Sequence, residues 1–244
     1  MYGKSGRVGL LVPSTNFVAE IEIARMMPEG VTVHTARCML EDAACEADKV
    51  KALLAMSRNV LRAAREVACV RPKVIAWACT SGSFLQGADQ EGALEKEIET
   101  ATGIPAVTTS TAMMEAIRSM GMRRVALVTP YIREINEKQV RFLEASMKGM
   151  KVVSVYGLEM LSSYAKNELD PESAYDAALK GDTQNADGVF ISCTAWRTIE
   201  VIEALERKLM KPVLSSNQVT AWAILARIDL QGDPRWGSLF RAAG

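Results

Sequence analysis

Short apolar runs alternate along this chain with longer stretches whose apolar positions recur at helical spacing. The runs Arg7–Val12, Val31–Arg37, Val74–Ala78 and Ala106–Thr108 are bounded by turn residues, which suits buried parallel strands. Between them a helical period passes through Ile21, Ile23 and Met26. A long helix is predicted over Asp48–Val70, with Val50, Leu53, Leu54, Val60 and Leu61 on its apolar positions. Helices at Glu91–Thr102 and Ala112–Met120 follow, the latter capped by Ser110 or Thr111. From Arg123 the plan starts again. Strands are expected at Val125–Thr129, Val152–Tyr156, Gly188–Ser192 and Val213–Ser215, with helices at Glu134–Lys148, Glu172–Leu179, Arg197–Lys208 and Gln218–Ile228.

Strands alternating with helices imply parallel sheets with helices on both faces. The segment RRVALVTPYI resembles GRVGLLVPST, and Pro13 and Pro130, Cys79 and Cys193, Pro105 and Pro212 stand at similar separations. These landmarks indicate a duplicated α/β unit. Without a Gly/Ser-rich linker, the repeat alone places the boundary near Gly121, giving residues 1–121 and 122–244. The chain has room to cross back between the halves near its C-terminus.

Composition narrows the function. The 244 residues hold 29 Lys+Arg against 29 Asp+Glu, so nothing in the charge favours a nucleic-acid partner. No apolar run approaches the roughly 20 residues that a membrane span needs. The opening MYGKSGRVGLLVPSTN reads as a first strand and not a signal peptide, so a cytoplasmic protein is expected. The cysteines Cys38, Cys45, Cys69, Cys79 and Cys193 are odd in number and form no CxxC pair, which suggests neither a disulfide framework nor a zinc site. The sole histidine, His34, falls within an expected strand, so no Ser-His chemistry is indicated.

Two stretches carry the candidate chemistry. VIAWACTSGS and GVFISCT share one design: an apolar run, a cysteine and a threonine. A cysteine where a strand gives way to a helix meets free N–H groups, a setting expected to favour thiolate. Either residue alone reads as a small buried hydrophobe. Together they suggest a pair working on a small molecule held between them.

Ligands of such sheets sit beyond the carboxyl ends of the strands. That brings together Pro13–Asn16, Cys79–Ser83, Thr129–Tyr131 and Cys193–Thr198, loops whose hydroxyls, amides and phenol suit a small carboxylate. Ser14, Ser83 and Thr198 equally suit turn or capping roles. Trp77 reads as core, Trp196 as pocket wall or packing, and Arg197 as a carboxylate clamp or an exposed first-turn residue. No nucleotide-binding glycine motif occurs.

The motifs VPSTN, WACTSGS, RVALVTPY, ISCTAWRT and KPVLSSNQ together resemble the maleate cis-trans isomerase family, in the aspartate/glutamate racemase superfamily that also holds arylmalonate decarboxylase. The resemblance covers almost the whole chain. It implies two similar four-stranded parallel α/β domains related by a pseudo-twofold axis, with the active site in the cleft between them. It also implies a small dicarboxylate substrate, cofactor-free and metal-free chemistry, and a homodimer or larger homo-oligomer. Carried over by motif, Cys79 is the nucleophile and Cys193 its acid/base partner. Asn16 and Tyr131 bind substrate carboxylates, joined by Asn167 of YAKNELD. Ser14, Thr80, Ser81 and Thr194 stand beside them in the same motifs. Many isomerases read CTNLR where this chain has Cys193-Thr194-Ala195-Trp196-Arg197, a departure that bears on the substrate.

Three other functions share these residues. A racemase uses both cysteines as opposed acid and base. A decarboxylase of the superfamily usually has glycine at the first cysteine, so Cys79 counts against it. A carboxylate sensor on the same scaffold has no turnover.

Overall fold

The computed structural model describes residues 2–241 apart from residues 42, 44, 86 and 91. Its strands form two four-stranded parallel sheets. Strands β1 (Gly6–Pro13), β2 (Val31–Cys38), β3 (Val74–Trp77) and β4 (Ala106–Thr108) lie in the order β2-β1-β3-β4. Strands β5 (Arg124–Thr129), β6 (Lys151–Gly157), β7 (Gly188–Ile191) and β8 (Val213–Ser215) repeat it as β6-β5-β7-β8. The duplicated plan is therefore two similar parallel-sheet α/β units related by a pseudo-twofold. In each, the central strands are the unbroken apolar runs, buried on both faces, whereas edge strand β6 alternates in exposure.

The helices are α1 (Val18–Met26), α2 (Glu46–Ser57), α3 (Val60–Ala68), α4 (Thr80–Phe84), α5 (Ala93–Thr102), α6 (Thr109–Ser119), α7 (Arg133–Ser146), α8 (Pro171–Gly181), α9 (Ile202–Leu209), α10 (Ser216–Arg227) and α11 (Ser238–Arg241). Three expectations change. The long helix over Asp48–Val70 is two, broken at Arg58-Asn59, because α2 packs on α4 while α3 packs on β1, β2 and α5. The cap of α6 is Thr108, whose hydroxyl accepts from the Thr111 N–H at 3.2 Å, in place of Ser110 or Thr111. Helix α9 starts at Ile202 and not at Arg197, because the N–H groups of Thr198 and Ile199 are held by the Glu22 carboxylate of α1. Helix α5 is described from Ala93; the expected start at Glu91 lies outside the described residues.

The halves are joined by apolar and hydroxyl contacts. Helix α10 packs against α6 and α1, with the Thr109 and Thr220 hydroxyls 3.0 Å apart and Arg227 bridging both oxygens of Glu115 at 2.8 and 3.1 Å. Among the described residues no helix is long and apolar enough to cross a membrane.

Candidate active site

Strands β3 and β7 are equivalent in the two sheets, and each delivers one cysteine at its carboxyl end. Cys79 is the N-cap of α4. Its backbone is extended, and its sulfur accepts the Gly82 N–H at 3.3 Å. Gly82 has no side chain for a steric reason: a Cβ there would stand 2.9 Å from that sulfur and 3.1 Å from the Trp77 ring. Cys193 sits at the matching place. Its sulfur accepts the Ala195 N–H at 3.4 Å, and its own N–H donates to Ser216 Oγ at 3.0 Å. Both cysteines line one narrow cavity of about 40 Å³ in the cleft between the sheets.

The CT threonines lock the halves together. Thr80 Oγ1 donates to Ser216 Oγ at 2.9 Å, and Thr194 Oγ1 donates to the Ala78 carbonyl at 3.1 Å. Asn16 caps α1 through Oδ1, which accepts from the N–H groups of Val18 and Ala19, and Nδ2 donates to Thr194 Oγ1. All four expected loops reach the cavity, through Asn16, Cys79, Thr80, Ser81, Tyr131, Cys193 and Thr194 among others.

Two expected residues do not line it. Ser14 closes the β1 turn, its hydroxyl accepting the Leu40 N–H at 2.9 Å. Asn167 is taken up by backbone: Oδ1 accepts the Phe17 N–H, while Nδ2 donates to the carbonyls of Thr15, Ser163 and Tyr164. It clamps the β6–α8 connection onto the β1–α1 turn. The remaining readings resolve simply. Trp77 is core and Trp196 is packing, its Nε1 donating to Ser173 Oγ at 2.9 Å. Arg197 pairs with Glu200 away from the cavity.

The electrostatics overturn one expectation. Burial pushes the Cys79 thiol up to about 12, against the lowering effect of the Gly82 N–H. Four-per-cent exposure outweighs one amide dipole at the start of so short a helix. Burial also raises Cys193. There the effect is opposed by the Lys166 charge, the Ala195 N–H and the Tyr131 hydroxyl, so Cys193 is the sulfur better supplied with groups that favour a thiolate. Burial raises Tyr131 well above its ordinary value.

Sequence reasoning missed the cations. Lys49 of α2 and Lys166 both line the cavity, and they are the only lysines, arginines or carboxylates in its wall among the described residues. Lys49 Nζ donates to Ser163 Oγ at 2.6 Å. Lys166 Nζ stands 5.2 Å from the centre of the Tyr131 ring, on its face. Burial lowers Lys166 to about 8, with Cys193 opposing and Lys49 reinforcing. The one available signal was positional: Lys49 shares the buried stripe of Leu53 and Met56 on α2.

Comparison with known proteins agrees with this geometry. A family model described as arylmalonate decarboxylase matches residues 8–240, and the chain belongs to that family. Within it, the chain is a maleate isomerase-like enzyme. It is 30% identical to a maleate isomerase of Nocardia farcinica over 92% of this chain and 90% of that protein. It is 32% identical to an arylmalonate decarboxylase of Bordetella bronchiseptica over 76% of this chain and 78% of that one. A Nocardia farcinica maleate cis-trans isomerase, solved as a cysteine-to-serine mutant with a covalently bound succinylcysteine intermediate, superposes with a TM-score of 0.88 at 27% identity, covering 96% of this chain and 98% of that one.

Proposed function

We propose that the enzyme converts maleate, or a closely related cis-dicarboxylate, to its trans isomer through a succinyl thioether on Cys79. The observation that carries the reading is the pair of buried cysteines, one from each half, facing one small cavity. The succinylcysteine seen in the Nocardia relative supports it.

Rotation about the double bond requires the π bond to be broken for a moment, and covalent addition does this in two easier steps. The Cys79 proton passes to the Cys193 thiolate, which the Lys166 charge and the Tyr131 hydroxyl support against the effect of burial. The Cys79 sulfur then bonds to one alkene carbon, and the π pair moves onto the other carbon and its carboxylate. Backbone N–H groups and the Ser81 hydroxyl offset that charge, while Asn16 and Tyr131 hold the carboxylates. Cys193 delivers its proton to the carbanion, and the carbon–carbon single bond rotates. Cys193 then takes a proton back from that carbon, the C–S bond breaks, and fumarate leaves. The reading extends to cytoplasmic action as a homodimer or larger homo-oligomer, with the two domains dividing near Gly121.

The test assays maleate, aspartate and phenylmalonate side by side. Fumarate forming from maleate supports the proposal. Solvent deuterium entering aspartate, or carbon dioxide released from phenylmalonate, with maleate inert in either case, would overturn it.

A further inference from the structure

We propose that Lys166 is a substrate-binding residue that takes one carboxylate of the substrate and makes the site selective for dianions; the inference rests on the dicarboxylate reading above. The first ground is placement. Lys166 is 4% exposed, yet among the described residues it forms no ion pair, and its ammonium contact is the face of Tyr131. A buried ammonium without a counter-charge is costly, and a π face offsets only part of that cost. The second ground is the wall it belongs to. The cavity wall carries Lys49 and Lys166 but no aspartate or glutamate among the described residues, so an entering anion meets cationic groups alone.

The third ground is how firmly the backbone beneath it is held. The 158–170 connection that carries Lys166 is pinned on both sides of it. Asn167 bonds the Thr15–Phe17 turn of the other half, and Ser163 accepts from Lys49 of α2. That holds the backbone carrying Lys166 beside the cavity before any substrate arrives, so less ordering remains when a carboxylate enters. Tyr131, beneath the ammonium and beside Cys193, links the carboxylate-binding end of the cavity to the sulfur end.

Isothermal titration with succinate and with succinamate, which has an amide in place of one carboxylate, separates this role from a structural one. Neither ligand needs turnover, so the result stands whether or not maleate is isomerised. Wild type is expected to prefer succinate by about 100-fold, and Lys166→Met to shrink the preference to within about threefold. Lys166→Arg, which keeps the charge, should retain most of it. A Lys166→Met protein that weakens for both ligands equally would show a merely structural lysine and overturn the proposal. So would a wild type that binds the two alike or binds neither. If Lys166→Met does not fold, Lys166→Gln replaces it under the same criterion.

Discussion

Asn16 and Thr194, one from each half, meet through a 3.0 Å hydrogen bond from Nδ2 to Oγ1, across the cleft that holds the cysteines. The same asparagine caps α1 through its other atom, so one side chain couples a helix start to the loop of Cys193. Asn16→Asp keeps the capping acceptor and removes the donor. It should leave thermal stability within about 1 kcal/mol of wild type while lowering kcat/KM by at least about tenfold. Asn16→Ala loses both functions and should also cost about 1 kcal/mol or more of stability. Equal activity in Asn16→Asp and wild type would remove the cross-cleft bond from the argument.

Gly82 is tested by the smallest addition. Its Cβ position is 2.9 Å from the Cys79 sulfur, 3.1 Å from the Trp77 ring and 3.2 Å from the flexible end of Met56, so Gly82→Ala presses on the sulfur first and on the core beside it. The expectation is a kcat lowered by about 10- to 100-fold, because small misplacements of a reacting atom are expensive. Stability should fall by about 1–3 kcal/mol, the usual cost of overpacking. Steady-state kinetics beside thermal melting separates the two effects, and unchanged kcat is the contrary result.

Thiol reactivity in the empty enzyme follows from burial. With Cys79 pushed up to about 12, its alkylation near pH 7 should be slow and should rise about tenfold per pH unit up to that range. The exposed Cys45 and Cys69 should label first. The stability linkage runs the same way. A thiol raised above its ordinary value of 9.0 contributes stability that is complete below pH 9 and lost as pH climbs towards 12. Peptide mass spectrometry of iodoacetamide-treated protein from pH 7 to 10 reads the labelling order, and rapid modification of Cys79 at pH 7 would contradict it.

The strands and the two cysteines were legible because strands buried on both faces must be written as continuous apolar runs, and β1, β3, β5 and β7 are. The start of α9 was not. Thr198 and Ile199 run without a break into the helical pattern that follows, but their N–H groups are held by Glu22, far away in sequence. Lys166 lines the cavity where Asn167 was expected to, for a similar reason. Both are polar residues in a loop, and only the docking of that loop on Thr15–Phe17 decides which one faces the cavity. The thiolate expectation meets the opposing effect of burial, which a sequence does not display, and Cys193 has no helix start directly after it, α9 beginning only at Ile202.

Glu22, which is not in the cavity wall, gives a separate pH signature. Burial raises its carboxyl to about 7, although Asn217 Nδ2 and the N–H groups of Thr198 and Ile199 all favour the charged form. Since the ordinary value is 4.5, Glu22 binds its proton more tightly in the folded chain. Its contribution is full below pH 4.5 and is lost as pH rises through 7. Glu22→Gln cannot titrate, so the melting temperature of wild type relative to this variant should fall between pH 4.5 and 7.5. A constant difference across that range would show that Glu22 is ionised throughout.

The unequal roles of the two sulfurs give the sharpest separation. Cys79→Ser replaces the nucleophile by an alcohol that is hardly ionised near neutrality, so isomerisation should fall by at least about 10³-fold, with no succinyl mass on the protein. Cys193→Ala keeps the nucleophile but removes the group that takes the Cys79 proton and exchanges one with the carbanion. Turnover should therefore fall by about 10²- to 10⁴-fold. What adduct forms on Cys79 should persist, because nothing is placed to take the proton back and allow the C–S bond to break. The pair is read by intact-protein mass spectrometry after mixing each variant with maleate, with the modified peptide then located. Wild type, which turns over, should show little adduct, so the informative contrast is between the two variants. Succinyl mass on Cys193 in the Cys79→Ser protein would reverse the assignment of nucleophile. Symmetric loss of activity with no adduct in either variant would instead fit two sulfurs that only move protons.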